Sequence, residues 1–512
     1  MCSSATDAFA LARLNVSADT NVDALAAMLT QHYPSVLVRM YKRARIPVWR
    51  IVRRCSAPVM RHMHSPDYVP ARMMEIELGE PLPTIYAVDE KEGCYYQRAV
   101  CLIRLHTQPL GTVEIPLVDG EASPNEYVEH IWRTLGSQIN EHLRQDGLPP
   151  ITTLEAAGLP GSGTPLCIEK REQFLAHAPF VSIIVPTHNR LEQLQCCLRS
   201  LLALQYPHYE IIVVDNAPNS SATADFIQRT YHAGAQVRYL REDRPGASWA
   251  RNCGIMAARG EIVVFADDDI VVDAYWLAEL VKGFSVTDKV ACVTGLLLPL
   301  ELDTPAQFLI EEFGGFSKGY SQRLFDLVEN HPHTPLHPFT AGQFGTGASM
   351  AFKAEFLRRA NNFDPALGPG TPAKGGEDLT LFFQAIIQGY TLVYEPRSIA
   401  YHPHRREYAD LQKCVYDYGV GLTAYLTRNV LHNPRFLFDF VIRVPYGLYF
   451  VLSNRSSKNR MKSSHYPKEL SRAERKGMLH GPLAYILSWW TIRRMDKHFE
   501  TSRPPIALHV EK

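Results

Sequence analysis

The clearest pattern in the chain is an alternation of short apolar runs with amphipathic stretches after residue 180. The apolar runs read VSIIVP, EIIVVD, VRYL and EIVVF, and helix-length segments separate them. Continuous apolar strands alternating with helices are typical of a mostly parallel sheet that is covered by helices on both faces. The pattern therefore predicts a Rossmann-like α/β domain, to which we assign residues 179–430.

The segment before this domain, residues 1–178, has a different pattern. Candidate strands cover 99–105 and 112–117, and apolar residues recur at helical spacing from Tyr127 to Leu143 after Ser123-Pro124. GLPGSGTP, which starts at Gly158, is typical of a linker, because no Gly-Lys-Ser/Thr follows to make a phosphate loop. We expect an N-terminal α+β domain with a linker, and no catalytic constellation is visible in it.

The last segment, residues 431–512, is aromatic and basic, and we expect a helical extension. Its most apolar run, 436–453, is interrupted by Asp439, Arg443 and Pro445, and residues 454–477 carry eight Lys/Arg against two Glu. Aromatic side chains suit the headgroup layer and basic clusters suit anionic lipid. The segment either docks on a membrane without crossing it or packs on the preceding α/β domain.

Composition narrows the class of protein. The 512 residues are 46% hydrophobic and 21% charged, as in ordinary globular proteins, and the 53 basic residues equal the 53 acidic ones. An even charge balance argues against nucleic acid as a partner. The ten cysteines show no CxxC spacing and the first thirty residues show no secretory signal, so we expect a cytoplasmic protein with reduced thiols, in peripheral membrane contact if the extension docks.

Polar residues follow three of the predicted strands. They are the PTHNR run (Pro186, Thr187, His188, Asn189, Arg190), Asp215, and the run of Asp267, Asp268 and Asp269. Ligands of parallel sheets bind beyond the carboxyl ends of the strands. Three adjacent carboxylates repel one another, and a divalent cation such as Mg²⁺ or Mn²⁺ would offset that repulsion, whereas the alternative is a solvated loop.

Six motifs in order strengthen the functional interpretation: IIVPTHNR, IIVVDNAP, GASWARNCGI, VVFADDD, GTGASMAFK and GGEDLTLFFQAIIQGY. With these motifs the segment from Phe180 to about Arg405 resembles the family 2 glycosyltransferases, which have the GT-A fold. The resemblance implies an inverting transfer of a sugar from a nucleotide-diphospho-sugar donor, assisted by Mg²⁺ or Mn²⁺. It leaves the acceptor open, either a saccharide, as in polysaccharide biosynthesis, or a lipid-linked glycan.

The resemblance also implies roles for donor-binding residues. Asp267 and Asp269 match the ends of the family's Asp-x-Asp motif, so Asp269 would bind the metal and Asp267 would lie by the metal and the ribose, with Asp268 between them. His188 would lie near the base and Asp215 would read it, although Asn216 stands where many relatives have a second Asp. Gly347 and Ser349 would line the sugar-binding floor; Arg251 would approach the diphosphate or form a helix-surface ion pair.

Catalytic residues are implied at the start of the helix after Gly375-Gly376. Asp378 matches the family's general base, with Glu377 supporting it or facing the acceptor, and a simple helix cap is the alternative. His402 and His404 lie two apart on an extended segment and so share one face, and His402 is the better candidate for completing the metal site.

Two other functions use similar features. A sugar nucleotidylyltransferase would need a glycine- and Arg/Lys-rich loop after the first strand, where this chain has PTHNR. A non-catalytic component that binds a nucleotide sugar would not require the intact carboxylates.

Overall fold

A computed structural model describes residues 68–502 except 90–92, 160, 162, 232–235, 333 and 461. The first 67 residues of the predicted N-terminal domain lie outside the described residues. The chain forms two compact units. Among the described residues, the smaller one combines 68–104, 112–139 and 151–159, and the larger one combines 105–111, 140–150 and 161–502.

The N-terminal part has the predicted α+β character. Its elements are β1 Ala71–Glu77, β2 Ile85–Tyr86, β3 Arg98–Leu105, β4 Gln108–Pro116, a 3₁₀ turn at Val118–Gly120, β5 Glu121–Ala122 and α1 Pro124–Gln145. β1 pairs in parallel with β3, and β3 lies between β1 and β4. β4 begins at Gln108, four residues before the predicted start. The tight turn at His106-Thr107, which joins β3 to β4, contains neither Gly nor Asn, so no turn signal is visible in the sequence there.

Helix α1 confirms the predicted period. Ser123 precedes the helix, and both its backbone N and its Oγ donate to Oε2 of Glu126, at 2.6 and 2.8 Å. This is half of a capping box, which satisfies donors that the first turn leaves unpaired. The apolar face is buried at every predicted turn: Tyr127, Ile131, Leu135, Ile139 and Leu143.

A nine-stranded sheet forms the centre of the larger unit. Its strands are β6 Val181–Thr187, β7 Tyr209–Asn216, β8 Val237–Glu242, β9 Ile262–Ala266, β10 Val271–Val272, β11 Val290–Pro299, β12 Arg323–Phe325, β13 Ser349–Lys353 and β14 Thr391–His402. Their order is β10-β14-β11-β13-β9-β6-β7-β8, with β12 on β14. β9, β6, β7 and β8 pair in parallel, as the apolar runs predict, whereas β13 is antiparallel to both β9 and β11.

Helices surround this sheet, as expected for the predicted α/β class. They are α2 Leu166–Leu175, α3 Leu191–Leu202, α4 Ala222–Thr230, α5 Ala247–Ala257, α6 Trp276–Lys282, α7 Pro305–Phe313, α8 Ala354–Arg359 and α9 Glu377–Ile387, with 3₁₀ turns at Gly283–Ser285 and Ala341–Gln343. The apolar strands are buried almost throughout, and β7 and β9 have no exposed residue. Burial on both faces explains why these strands lack an alternating pattern.

The C-terminal extension is helical, as predicted: α10 Tyr408–His432, α11 Phe436–Leu452, α12 Ser457–Arg460 and α13 Lys468–Ser502. α10 and α13 cross at glycines. A Cβ at Gly419 would overlap the carbonyl oxygen of Glu474, and one at Gly477 would overlap that of Tyr416. The two backbones therefore touch, so α13 packs directly on α10.

Helix α11 presents apolar side chains to solvent. Phe438 is 76% exposed, and Leu437, Val441, Ile442, Leu448, Tyr449 and Leu452 are all more than half exposed. Its interrupting charges, Asp439 and Arg443, form an ion pair with each other. By length and composition, Phe436–Arg460 is the one helical segment among the described residues that could cross a membrane. Docking without crossing, as expected from the sequence, stays a prediction.

Candidate active site

The polar runs predicted to share one edge of the sheet do so. β6 ends at Thr187, β7 at Asn216, and β9 ends at Ala266 just before the three aspartates. β14 brings His402 to the same place, 3.6 Å from Asp269. Because the parallel strands end at one edge, residues far apart in sequence meet there.

The middle aspartate is the most enclosed member of the run. Asp268 is buried, accepts a hydrogen bond from Thr187 Oγ1 at 2.7 Å and pairs with Arg190 Nη1 at 2.8 Å. Burial raises the pKa of Asp268 to about 7, although Arg190 and Thr187 oppose that rise. Arg190 also pairs through Nη2 with Asp269, at 2.5 Å. Thr187 and Arg190 therefore hold the acidic run in place, a role that the sequence did not assign to them.

The outer aspartates and a histidine could hold a metal. One ligand atom each from Asp267, Asp269 and His402 lies within 4.8 Å of the others. Oδ1 of Asp269 is buried without a hydrogen-bond partner among the described residues, and it faces His402. This oxygen is therefore available to bind a metal. Burial lowers the pKa of His402, partly offset by Asp269, which favours the neutral, metal-binding imidazole. These residues fit the predicted divalent cation.

His404 does not join this cluster. Its Nε2 lies 2.7 Å from Oε1 of Glu311 on α7, and the side chain is buried. Phe316 packs against both histidine rings, at 5.4 Å in each case. The sequence preference for His402 over His404 agrees with this arrangement.

Asp215 lies fully buried at the end of β7. Tyr239 donates to its Oδ2 at 3.1 Å, and burial raises the pKa of Asp215 despite that hydrogen bond. The adjacent Asn216 donates to the carbonyl of Arg244 and accepts from the backbone N of Gly246, both at 2.8 Å. An aspartate could not both donate and accept, so Asn216 fixes the loop that leads into α5.

The first part of the PTHNR run is more open. His188 and Asn189 are exposed and Pro186 is half-buried. His188 Nδ1 lies 2.6 Å from the carbonyl of Asn216, while Asn189 has φ +53° and accepts from the backbone N of Asn219. Their contacts with a base stay a prediction.

Arg251 joins the acidic run to the predicted catalytic helix. It is only 4% exposed, and it donates to Glu377 at 2.7 Å and to Asp267 at 3.1 Å. The alternative of a helix-surface ion pair is wrong, because α5 turns this face inward. Glu377 is also buried and its carboxylate pairs with Arg251, so a contact with an acceptor stays a prediction.

Asp378 is the second residue of α9, which begins at Glu377 beside this bridge. Gly376, directly before the helix, has φ +90°, which favours glycine, and Asp378 Oδ1 accepts from the backbone N of Leu379 at 2.8 Å. Burial, and then the charge of Glu377, raise the pKa of Asp378 to about 7. A Cβ at Gly347 would lie 2.9 Å from Oδ2 of Asp378, so the predicted sugar-floor loop does reach the predicted base.

Ser349 has a packing contact instead. It is fully buried at the start of β13, and its Oγ accepts a hydrogen bond from Nε1 of Trp276 at 2.9 Å. The structure therefore gives this hydroxyl a partner within the protein, and its contact with a sugar stays a prediction.

Comparison with known proteins identifies the central domain. The family model described as glycosyl transferase family 2 matches residues 182–333. Residues 182–333 are a family 2 domain. The match includes the PTHNR run, Asp215, Arg251 and the three aspartates, and it ends before Gly347, Asp378 and His402.

Relatives of the family 2 domain match it over part of their length. An uncharacterized protein of Sinorhizobium fredii is 34% identical over 176 residues, covering 34% of this chain and 17% of that protein. The glycosyltransferase AglE of Haloferax volcanii is 36% identical over 112 residues, covering 21% of this chain and 36% of AglE. The chain thus spans about a third or less of these relatives' length.

One solved structure aligns with a larger share of the chain than these relatives do, but at lower sequence identity. A mannosyltransferase from Pyrobaculum calidifontis, in complex with GDP-Man and Mn²⁺, is 17% identical, with a TM-score of 0.38. The alignment covers 66% of this chain and 95% of that one.

Proposed function

We propose that this protein is a metal-assisted, inverting glycosyltransferase. It would move a sugar from a nucleotide-diphospho-sugar to a saccharide or lipid-linked acceptor. The observation that carries the proposal is the buried Arg251 bridge between Asp267 and Glu377, because it holds the acidic run against the helix start that presents Asp378. The residues proposed to bind the sugar donor and the candidate base then lie side by side.

Asp378 suits the task of removing the acceptor proton. In a single in-line displacement, the acceptor hydroxyl loses its proton as it bonds to the anomeric carbon, and the nucleoside diphosphate leaves on the opposite face. A carboxylate whose pKa is close to neutrality is an efficient general base at physiological pH. Asp378 is that carboxylate, and it keeps Oδ2 beside Gly347 while Oδ1 is fixed by the backbone.

The donor would be held at both of its ends. Asp215 at the end of β7 would accept a hydrogen bond from a base N–H. Asp267, Asp269 and His402 would hold Mg²⁺ or Mn²⁺, which supplies positive charge for the diphosphate leaving group. Arg190 pairs with both Asp268 and Asp269 and so reduces the repulsion between them before the donor binds.

The test is a panel of nucleotide sugars presented to the purified chain with Mn²⁺ or with EDTA. We expect one donor to raise the melting temperature and to release nucleoside diphosphate only with metal. Release of pyrophosphate from a nucleoside triphosphate and a sugar phosphate would instead identify a nucleotidylyltransferase. Stabilisation by a donor without turnover, with or without candidate acceptors, would identify a non-catalytic binding protein.

We also propose that the C-terminal helices dock on an anionic membrane at the cytoplasmic face. The support is a juxtaposition: α11 and the outer face of α13 expose apolar side chains, Leu479 and Trp490 among them, while the connecting segment is basic. Apolar insertion combined with basic charge is what interfacial helices use.

Liposome flotation tests the membrane proposal. We expect the chain to float with vesicles that contain phosphatidylserine and to do so less at high salt. A Phe438→Ser, Leu448→Ser double variant should bind less, because it removes apolar surface without changing charge. Equal flotation with neutral vesicles would contradict the electrostatic part, and no flotation at low salt would contradict docking.

A further inference from the structure

A second ligand cluster lies in the larger unit, outside the family 2 domain. Four side chains, from His106, His142, Asp146 and Cys167, each bring one ligand atom within 4.8 Å of the others. They come from the turn after β3, from the last turn of α1 and the residue directly after it, and from the first turn of α2. The candidate active site uses none of them.

The ligand atoms of the other three residues all lie close to one carboxylate oxygen of Asp146. Oδ2 of Asp146 lies 2.6 Å from His106 Nδ1, 3.1 Å from His142 Nε2 and 3.0 Å from Cys167 Sγ. The two ring nitrogens are themselves 3.1 Å apart. Around tetrahedral zinc, nitrogen and sulfur ligands are separated by roughly 3.3–3.6 Å, from Zn–N bonds of about 2.0–2.1 Å and Zn–S bonds of about 2.3 Å. An outward shift of a few tenths of an ångström in each side chain would make room for the ion.

The backbone is arranged to support the cluster. His106 and Thr107 have φ +52° and +68°, and neither is the Gly or Asn that a two-residue hairpin turn favours. His142 and Asp146 are four residues apart, and the backbone N of Asp146 donates to the carbonyl of His142 at 3.0 Å, so the C-terminal end of α1 brings both side chains to one face. The backbone N of Cys167 donates to the other oxygen of Asp146 at 2.9 Å, which orients the carboxylate.

The cluster is largely enclosed, with Cys167 half-buried, and the neighbouring charges are paired. The side chains of His106 and His142 are 8% exposed and that of Asp146 is 2% exposed. Arg171, which donates to Thr107 Oγ1, also pairs with Glu279, and Arg397 pairs with Glu395. Four protein ligands distinguish a structural zinc site from a catalytic one, which keeps a position open.

We propose that His106, His142, Asp146 and Cys167 form a structural zinc site. The ligand types select the metal: a thiolate and two imidazoles suit Zn²⁺, whereas Mg²⁺ and Mn²⁺ prefer oxygen. The site would fix the turn after β3, the end of α1 and the start of α2 to one another. Zinc would displace the thiol proton of Cys167 on binding, and that proton is released to solvent. The two positive charges of the ion are then balanced by the Cys167 thiolate and the Asp146 carboxylate, both histidines stay neutral, and no redox step is involved.

The experiment uses the full chain without a histidine tag. We expect about one tightly held zinc per chain by mass spectrometry of the metal content after dialysis. Replacement by Co²⁺ should give the intense visible bands of tetrahedral cobalt together with a thiolate-to-cobalt charge-transfer band. A chain that retains no zinc and shows no such cobalt spectrum overturns the proposal, and this test needs no variant.

Two cysteine variants locate the ligand. Cys167→Ser should lose the charge-transfer band, whereas Cys196→Ser, at an exposed cysteine on α3, should keep both the band and the zinc. Persistence of the band in Cys167→Ser would overturn the assignment. The metal of the candidate active site does not confuse the result, because that site contains no thiol.

Discussion

The two ligand clusters of this protein differ in how they are built. Asp267, Asp269 and His402 lie at strand ends, with an aspartate oxygen that has no hydrogen-bond partner among the described residues and an arginine that balances charge. His106, His142, Asp146 and Cys167 come from a turn and two helices, and their contacts are mutual. The first arrangement is suited to receiving a substrate and the second to holding parts of the chain together. A cluster's unsatisfied atoms are therefore as informative as its ligand types.

The strongest test of this contrast is Asp269→Ala. We expect sugar transfer to fall to background, because the variant removes the aspartate oxygen that faces His402. Its cobalt charge-transfer spectrum should be unchanged, because that signal belongs to the other cluster. Transfer assays with and without EDTA, run beside the cobalt spectrum, check both halves. Full turnover by the wild-type chain in excess EDTA would contradict the metal requirement.

Asp378→Asn separates chemistry from binding within the first cluster's cleft. The substitution keeps the shape of the side chain and the helix start, but an amide cannot take a proton. We expect the rate of transfer to fall by roughly 10²–10⁴-fold, with donor affinity by calorimetry almost unchanged.

Asp215→Asn is the matched control for that variant, and it should weaken donor binding instead. Should Asp378→Asn transfer sugar at nearly the wild-type rate, Asp378 is only a helix cap and Glu377→Gln becomes the variant to measure.

Arg251→Met tests whether the active site also contributes to stability. Removing the arginine leaves Glu377 buried without its cation, and breaking a buried pair in this way costs about 3–5 kcal/mol of unfolding free energy. Arg241→Met is the control, because Arg241 pairs with Asp243 at the surface, where ion pairs contribute little to stability. Urea denaturation of both variants makes the comparison, and equal losses would contradict the bridging role.

The pH dependence of transfer should show the smallest effect. A general base acts when it is deprotonated, and Asp378 has a pKa raised to about 7, so kcat/KM should rise with pH up to that value and level off above it. Below it we expect a fall of about tenfold per pH unit. Asp268 also has a pKa raised to about 7, but it is not the proposed base. The Asp268→Asn variant should therefore show the same fall in kcat/KM at low pH. A flat profile from about pH 5.5 to 8 would count against Asp378 as the base.

The sequence predicted the parts that follow a local period or a motif. Strands β6, β7 and β9 are continuous apolar runs, and their common edge follows from parallel pairing, so the acidic run and Asp215 could be placed together. The antiparallel β13 could not, because nothing in SMAFK states the direction of its neighbours.

Long-range partners were also beyond the sequence. The Arg251–Glu377 pair spans 126 positions, and Tyr239 reaches Asp215 from the next strand, so no local spacing indicates either contact. The second ligand cluster was missed because its members are single residues in separate elements. A signal existed in the i, i+4 pair His142 and Asp146, but one such pair is common on helices.

The glycines of the C-terminal helices have a consequence for the catalytic end of the molecule. α13 presses on α10 at Gly419 and Gly477, and α10 in turn meets Gly375 and Gly376 through Gly421, where a Cβ would lie 3.0 Å from the Cα of Gly375. Backbone touches backbone at each step, with no flexible side chain between to absorb a displacement. The extension is thus a mechanical support for the turn that sets Asp378, and a chain shortened after His432 would lose the outer layer of that support while keeping every residue of the cleft.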